Sequence, residues 1–345
     1  MAENKVIGGE FEIEVQQSYQ MRNALPEDVV TYSSGRSALY NILACLKEKC
    51  GIKSVLFPDY LCESVYQMAE KNDMGVEFYA LDVQLNPDVK DIENKYDTTK
   101  AILLIDYFGL KDNQPAIEQL RGIYQDMVII LDNVQSPYSM YEKTDADFTF
   151  SSFRKAFPVA DGSWVLSKGT SLPQYERVNA FAQYKIAASC LKALREQHLF
   201  SDEVYLELYH RGEVMIDDDY QTDMTQLSKD ILADMEWGRY AILRKRNAEV
   251  MIDGLKRMGI EPVIPISDDK VPLFVPVRLE NRDKVRKAMF ANNVFLPVHW
   301  PVEDGYKKQL KRGAEMAAHE LSIIVDQRCS VSDMRRILSI LESNI

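Results

Sequence analysis

Two stretches decide the fold: Ala101-Ile102-Leu103-Leu104-Ile105-Asp106 and Met127-Val128-Ile129-Ile130-Leu131-Asp132. Each is a short, unbroken apolar run that stops at an aspartate. Neither alternates apolar with polar positions, so neither reads as a strand with one wet face. Such runs belong to strands covered on both sides, as in a parallel sheet between helices. Working outward, Ser54-Val55-Leu56-Phe57 before Pro58, Val76-Glu77-Phe78-Tyr79 after Gly75, and Asp147–Phe150 read as further strands. Helical periodicity fills the gaps at about 36–48, 61–72 and 113–124. This alternation predicts a wound α/β layer with a mostly parallel sheet.

Beyond residue 172 the pattern turns mostly helical, and Ile231 to Met258 reads as one long helix or two that abut. Pro262 to Pro276 is rich in proline and β-branched residues, and helix and strand patterns alternate from there to the end. The expected organisation is a large α/β domain over residues 1–240 and a smaller α+β domain over 241–345. No internal repeat or low-complexity tract interrupts it.

Of the 345 residues, 46% are hydrophobic and 27% charged, an ordinary globular mixture that can bury a core without a disulfide or metal staple. The 41 basic and 53 acidic residues leave a net charge of −12. Such a surface gives nucleic acid or an anionic membrane no long-range attraction, although a local basic pocket for a small anion is compatible with it. The five cysteines, Cys45, Cys50, Cys62, Cys190 and Cys329, show no C-x-x-C spacing, which argues against a disulfide framework or a zinc knuckle and for a reducing cytoplasm. Met1-Ala2-Glu3-Asn4-Lys5 leads into no apolar signal region, and no apolar run approaches the roughly 20 residues of a membrane span. The expectation is a soluble cytoplasmic protein with no metal site.

Three polar clusters fall where a parallel sheet places its ligands, at the carboxyl ends of strands. Ser33-Ser34-Gly35-Arg36-Ser37-Ala38 precedes an apolar-periodic helix. Serine caps with a glycine that lets the backbone approach closely make an anion site from free N–H groups, though alone they read as an ordinary N-cap. Asp132-Asn133-Val134-Gln135 follows a buried run, where a carboxylate needs a cation or a protonated nitrogen; alone it reads as a turn. Ser151-Ser152-Phe153-Arg154-Lys155 follows the strand 147–150, and its lysine alone reads as a surface residue. Together, an anion-binding helix start, a buried carboxylate and a lysine are the parts that hold pyridoxal phosphate. The helix start takes the phosphate, the carboxylate keeps the pyridine nitrogen protonated, and the lysine forms the Schiff base.

The sequence resembles the DegT/DnrJ/EryC1/StrS aminotransferases, fold-type-I pyridoxal-phosphate enzymes, many of which act on nucleotide-linked keto sugars. The resemblance runs through S-S-G-R-S-A-L at 33–39, V-L-F-P-D-Y at 55–60, I-D-Y-F-G at 105–109, D-N-V-Q at 132–135, S-S-F-R-K at 151–155, A-D-G-S at 160–163 and a weaker P-V-H-W-P at 297–301. It implies a fold-type-I PLP-dependent transferase. Lys155 would be the Schiff-base lysine and proton carrier, Asp132 the partner of the pyridine nitrogen, and Gln135 the partner of the ring hydroxyl. Gly35 and the backbone of Arg36 and Ser37, with Ser152 or Ser151, would hold the phosphate. Tyr60 would pack on the ring face, with Cys62 as the competing position. An amino acid, glutamate by family habit, would donate to a keto acceptor, plausibly a nucleotide-linked keto sugar of polysaccharide biosynthesis, in a homodimer whose active site lies between subunits. Asp218-Asp219-Tyr220-Gln221 stands near where the family has a G-Y-N-Y-R-type segment that reaches the partner, and does not match it.

Other pyridoxal-phosphate chemistry, a lyase or dehydratase, is the first rival; Lys155 opposes the dehydratase branch, which lacks that lysine. A non-catalytic sensor on the same fold is the second, opposed by Asp132, Gln135 and Lys155 occurring together. His299-Trp300 reads as a structural turn or a substrate-side wall, and Arg328 as an ion-pair residue or a carboxylate binder. His198, His210 and His319 lack metal spacing, and Asp217-Asp218-Asp219 reads as a solvated loop.

Overall fold

The computed structural model describes residues 5–14, 25–26, 28–195, 199–302 and 305–345. After a short strand β1 (Ile7–Gly8), the chain lays down β2 (Val30–Tyr32), α1 (Gly35–Cys50), β3 (Ser54–Pro58), α2 (Glu63–Glu70), β4 (Gly75–Tyr79), α3 (Val89–Lys95), β5 (Lys100–Ile105), α4 (Gln114–Ile123), β6 (Val128–Asp132), β7 (Phe148–Phe150) and β8 (Ser163–Ser167). The strands β2 to β8 form one seven-stranded sheet in the order β2-β8-β7-β6-β5-β3-β4. Its middle is parallel, from β4 through β3, β5 and β6 to β7. β8 runs antiparallel to both β7 and β2. The apolar runs that end at Asp106 and Asp132 are its central pair, and Leu103, Leu104, Ile129 and Ile130 are fully buried. The mostly parallel sheet expected from unbroken apolar runs is the one observed. Sequence patterning missed two of its strands: β2 has only three residues, and β8 carries serines at both ends.

The helical half follows as α5 (Phe181–Ala193), α6 (Asp202–Met215), α7 (Gln226–Asp234) and α8 (Trp237–Arg257). The periodicity over 231–258 resolves into two abutting helices, α7 and α8. The first of these is capped by the Thr225 hydroxyl, which accepts from the Ser228 N–H. The remainder is β9 (Phe274–Arg278), α9 (Arg282–Ala291), β10 (Val294–Phe295), α10 (Lys311–His319), β11 (Glu320–Ile324) and α11 (Val331–Glu342). β9 and β11 pair antiparallel.

One core cluster surrounds the large sheet, and another gathers α8, β9, α9, β11 and α11 around Val275, Val285, Leu321 and Ile337. The expected boundary near residue 240 falls inside α8. The chain's first strand joins the second cluster: Ile7 packs there, and β1 pairs in parallel with β10. A smaller cluster of Phe153, Phe157, Trp164 and Leu232 ties the segment carrying Lys155 to α7 and α8. Among the described residues no helix is long and apolar enough to cross a membrane.

Candidate active site

The three polar clusters meet at the carboxyl edge of the sheet. α1 begins at Gly35, and Ser34 caps it by accepting the Ser37 N–H on its hydroxyl at 3.1 Å. The first-turn N–H groups of Gly35 and Arg36 have no carbonyl of a preceding turn to bond. A Cβ built on Gly35 would lie 3.2 Å from Val134 Cγ2 and 3.6 Å from Ser152 Cβ, so the helix start is pressed against both of the other clusters. Gly35, Arg36, Asp132, Val134, Gln135, Ser152 and Lys155 all line one cavity of about 540 Å³. That volume lies within the usual range for small-molecule sites.

Asp132 ends β6 and is buried, with one oxygen accepting the Val134 N–H at 2.8 Å. Burial pushes its carboxyl up to about 7. Gln135 is oriented by its own acceptor: its Oε1 takes the Phe108 N–H at 2.9 Å, which leaves its NH2 group as a donor at the cavity wall. That contact requires a tight backbone. Phe108 sits at φ 60°, Gly109 follows at φ 70°, and a Cβ on Gly109 would collide with the Val271 carbonyl oxygen.

Lys155 closes a single 3-10 turn, Phe153–Lys155, and its solvent-exposed side chain lines the open cavity. The carbonyl of Ala156, the next residue, accepts from Arg244 Nη2 at 3.3 Å and from Gln327 Nε2 at 2.9 Å. The Arg154 guanidinium, and then partial desolvation inside the cavity, hold the Lys155 amine below its ordinary value. Arg154 is itself buried and lies 3.5 Å from Glu213 and 3.8 Å from Glu10. Glu213 also takes Arg36 at 3.0 Å and Lys185 at 3.0 Å, and Glu10 takes Lys185 at 3.1 Å. Burial would raise the Glu213 and Glu10 carboxyls, but Arg154 and then Lys185 hold both below the usual carboxylate range. A cationic wall compensated by two glutamates therefore borders the lysine.

Not every residue singled out in the sequence lines the cavity. Ser37 is outside it: its N–H is bound to Ser34 and its hydroxyl to the Tyr220 carbonyl, so Gly35 and Arg36 carry the helix start. Ser151 is fully buried and donates to the Asn133 carbonyl at 2.5 Å, whereas Ser152 faces the cavity. Of the two ring-face positions, Cys62 lines the cavity and Tyr60 does not. Tyr60 stacks on Tyr107 with centroids 5.4 Å apart and donates its hydroxyl to the His299 carbonyl at 2.6 Å.

His299 and Trp300 both line the cavity. Arg328 reaches it too, but its guanidinium is committed to Asp326 at 2.7 Å and to the Gly9 and Glu10 carbonyls, and it stacks 4.0 Å over Phe11. The run Asp217–Asp219 is an ion-paired turn rather than a solvated loop, with Asp217 bound to Arg36 and Asp219 to Arg177. His210 is exposed, His319 lies 3.7 Å from Glu280, and His198 lies outside the described residues. Among the described residues no cluster of metal-ligating side chains occurs.

Sequence reading missed Glu10, Glu213, Arg244 and Gln327, and it gave Arg154 no role. Arg154 alone carried a local signal, a second cation beside the lysine. The others reach the site from remote elements that no spacing connects to it.

The assembled groups have a defined chemical capacity. The α1 start with Ser152 can hold a dianion. Asp132 can hold a protonated ring nitrogen, Gln135 can donate to a hydroxyl, and Lys155 can condense with an aldehyde. No protein-family model matches the sequence, and no curated protein does. Solved structures do. Spr1654 from Streptococcus pneumoniae in its PLP form aligns with TM-score 0.69 and 13% identity, covering 99% of this chain and 100% of that one. The sugar aminotransferase CalS13 from Micromonospora echinospora aligns with TM-score 0.62 and 13% identity, over 92% and 88% of the two chains. A DegT DnrJ EryC1 StrS aminotransferase from Brucella abortus aligns with TM-score 0.62 and 15% identity, over 91% and 85%. At these identities the likeness is one of fold. The expected fold class, that of the fold-type-I PLP-dependent transferases, is borne out.

Proposed function

We propose that this chain is a PLP-dependent aminotransferase that transfers an amino group from an amino acid, glutamate by the family resemblance, to a nucleotide-linked keto sugar in polysaccharide biosynthesis. The observation that carries this reading is the meeting of Lys155, Asp132 and the α1 start around one cavity. The fold likeness to CalS13, a sugar aminotransferase, supports the substrate class.

When bound, pyridoxal phosphate supplies an electron sink for the carbon beside the transferred nitrogen. Gly35 and Arg36 N–H groups, with the Ser152 hydroxyl, would bind its phosphate. Asp132 would place a carboxylate against its ring nitrogen; the opposite charge there offsets the burial that otherwise raises the Asp132 carboxyl. The Gln135 NH2 would orient its hydroxyl, and Cys62 would line its ring. Lys155, with its amine pushed toward the neutral form by Arg154 and by desolvation inside the cavity, is suited to accept a proton from the substrate carbon and return it. Arg244 and Gln327 hold the turn that aims the amine.

In this reading the protein is a cytoplasmic homodimer. Five free cysteines support a reducing compartment. Val204, Leu206 and Val214 on α6 and Ile242 on α8 stand in water on the single chain, apolar surface of the kind a partner covers. The functional test is spectroscopic. Adding L-glutamate to the cofactor-loaded protein should convert the cofactor to its amine form and release 2-oxoglutarate, and a keto acceptor should reverse the change. A loaded protein that no amino acid converts would refute the aminotransferase reading.

A further inference from the structure

His299 stands on the wall of the cavity contributed by the C-terminal part of the chain, in the loop after β10. Its Nδ1 lies 2.8 Å from the Ser322 hydroxyl. Ser322 donates to Glu320 Oε1 at 2.5 Å, and Glu320 Oε2 accepts the His299 backbone N–H at 2.8 Å. Ser322 and Glu320 are fully buried in β11. Carboxylate, hydroxyl and ring therefore form a closed loop.

With Glu320 ionised, the proton count in this loop fixes the tautomer. A serine hydroxyl has one proton, and here it goes to Glu320. The Ser322 oxygen then meets Nδ1 as an acceptor, so Nδ1 must carry the ring proton. Burial, and then Lys155, keep the ring neutral by pushing its pKa down to about 3. A neutral imidazole protonated on Nδ1 has a bare lone pair on Nε2. Among the described residues, Nε2 makes no hydrogen bond, and the ring is surrounded by Phe274 at 5.1 Å, Trp300 at 5.1 Å and Phe108 at 5.7 Å. This part of the wall is apolar except for one acceptor.

We infer that His299 is a substrate-binding residue whose Nε2 accepts a hydrogen bond from a hydroxyl of the keto substrate, and that Ser322 and Glu320 are the positioning residues that hold it in that tautomer. A lone pair against aromatic rings suits a polyhydroxylated ligand, whose C–H faces cover rings while a hydroxyl donates. It disfavours a carboxylate, which has no proton to give. The inference rests on the proposed function for the identity of the substrate, but not for the tautomer.

The test has two arms. In the first, ¹⁵N spectra of the histidines are recorded near pH 8, where Glu320, its carboxyl raised by burial to about 7, is ionised. His299→Asn assigns the signal. The expected pattern is a protonated Nδ1 and a bare Nε2; a protonated Nε2, or a charged ring, overturns the inference whatever the protein catalyses. In the second arm, dTDP-, UDP- and GDP-linked hexoses are titrated in. At least one should move the Nε2 resonance. Ser322→Ala should weaken that binding about tenfold, the size of one hydrogen bond, and scramble the tautomer. Ser322→Thr, which keeps the hydroxyl, should restore both. If no sugar nucleotide moves Nε2, the substrate assignment falls. If sugar nucleotides move it but no amino acid converts the cofactor, the aminotransferase reading falls and the role of His299 in sugar binding stands.

Discussion

The side-chain amide of Gln327 donates to the carbonyl oxygen of Ala156 at 2.9 Å, joining the residue after Lys155 to the loop before α11. Arg244 from α8 reaches the same carbonyl. The lysine is thus aimed by the C-terminal part of the chain. Gln327→Ala leaves this carbonyl one bond short and costs ~1 kcal/mol of stability. Its larger effect should be on turnover, with kcat about tenfold lower through loss of aim. Thermal melts and steady-state kinetics together check both; a variant with unchanged kcat would place the anchoring outside the reaction.

The proposed role of Lys155 predicts a covalent link. Borohydride reduction of the loaded protein followed by peptide mapping is expected to mark Lys155, and Lys155→Ala should lose both the mark and turnover. A mark on another lysine would overturn the assignment.

Asp132→Asn keeps the shape of the side chain and removes its charge. Cofactor binding should persist in part while transamination falls by ~10³-fold, the scale of one strong electrostatic partner. Near-normal turnover would mean that Asp132 does not face the ring nitrogen.

Arg154 sets the pH at which Lys155 becomes a free amine. The guanidinium lowers the lysine, whereas Glu213 and Glu10 raise it. Removing the first and keeping the others must move the amine upward. In Arg154→Met, the pH below which cofactor-free protein links pyridoxal phosphate slowly should therefore rise. The rate of linkage as a function of pH measures this; a shift downward contradicts the arrangement of charges.

Light scattering of the full chain should give twice the mass of one chain at protein concentrations on the order of micromolar. An interface large enough for an obligate dimer buries on the order of 2,000 Å² or more. Substituting Leu206 and Val214 with lysine should shift the protein toward monomer. A wild-type monomer would refute the homodimer.

The sequence made the sheet legible because β5 and β6 are dense apolar runs ending in aspartates, too short for helices and lacking the alternation of a half-exposed strand. It made the candidate pocket half legible: Gly35 starts a helix, Asp132 ends a strand, and Gln135 and Lys155 lie in the loops that follow strands, where local pattern points. It could not separate Ser151 from Ser152, because adjacent residues of an extended strand end face opposite sides and only the sheet decides which side is wet. Tyr60 was equally opaque, since Pro58 fixes where the strand stops but not how the chain turns afterward. Glu10, Glu213 and Gln327 reach partners 175, 59 and 171 residues away, and such pairings exist only in the folded topology.

The cavity wall joins Gly9, Glu10 and Phe11 to Asp326 and Arg328, segments from opposite ends of the chain. This order matters during synthesis. The first segment is made 319 residues before the one that meets it. Until Arg328 emerges, the Gly9 and Glu10 carbonyls lack their guanidinium and the Ala156 carbonyl lacks Gln327. A small molecule that needs this wall is captured only after the segment carrying Arg328 has been made, so its uptake follows the synthesis of the whole cavity rather than accompanying it.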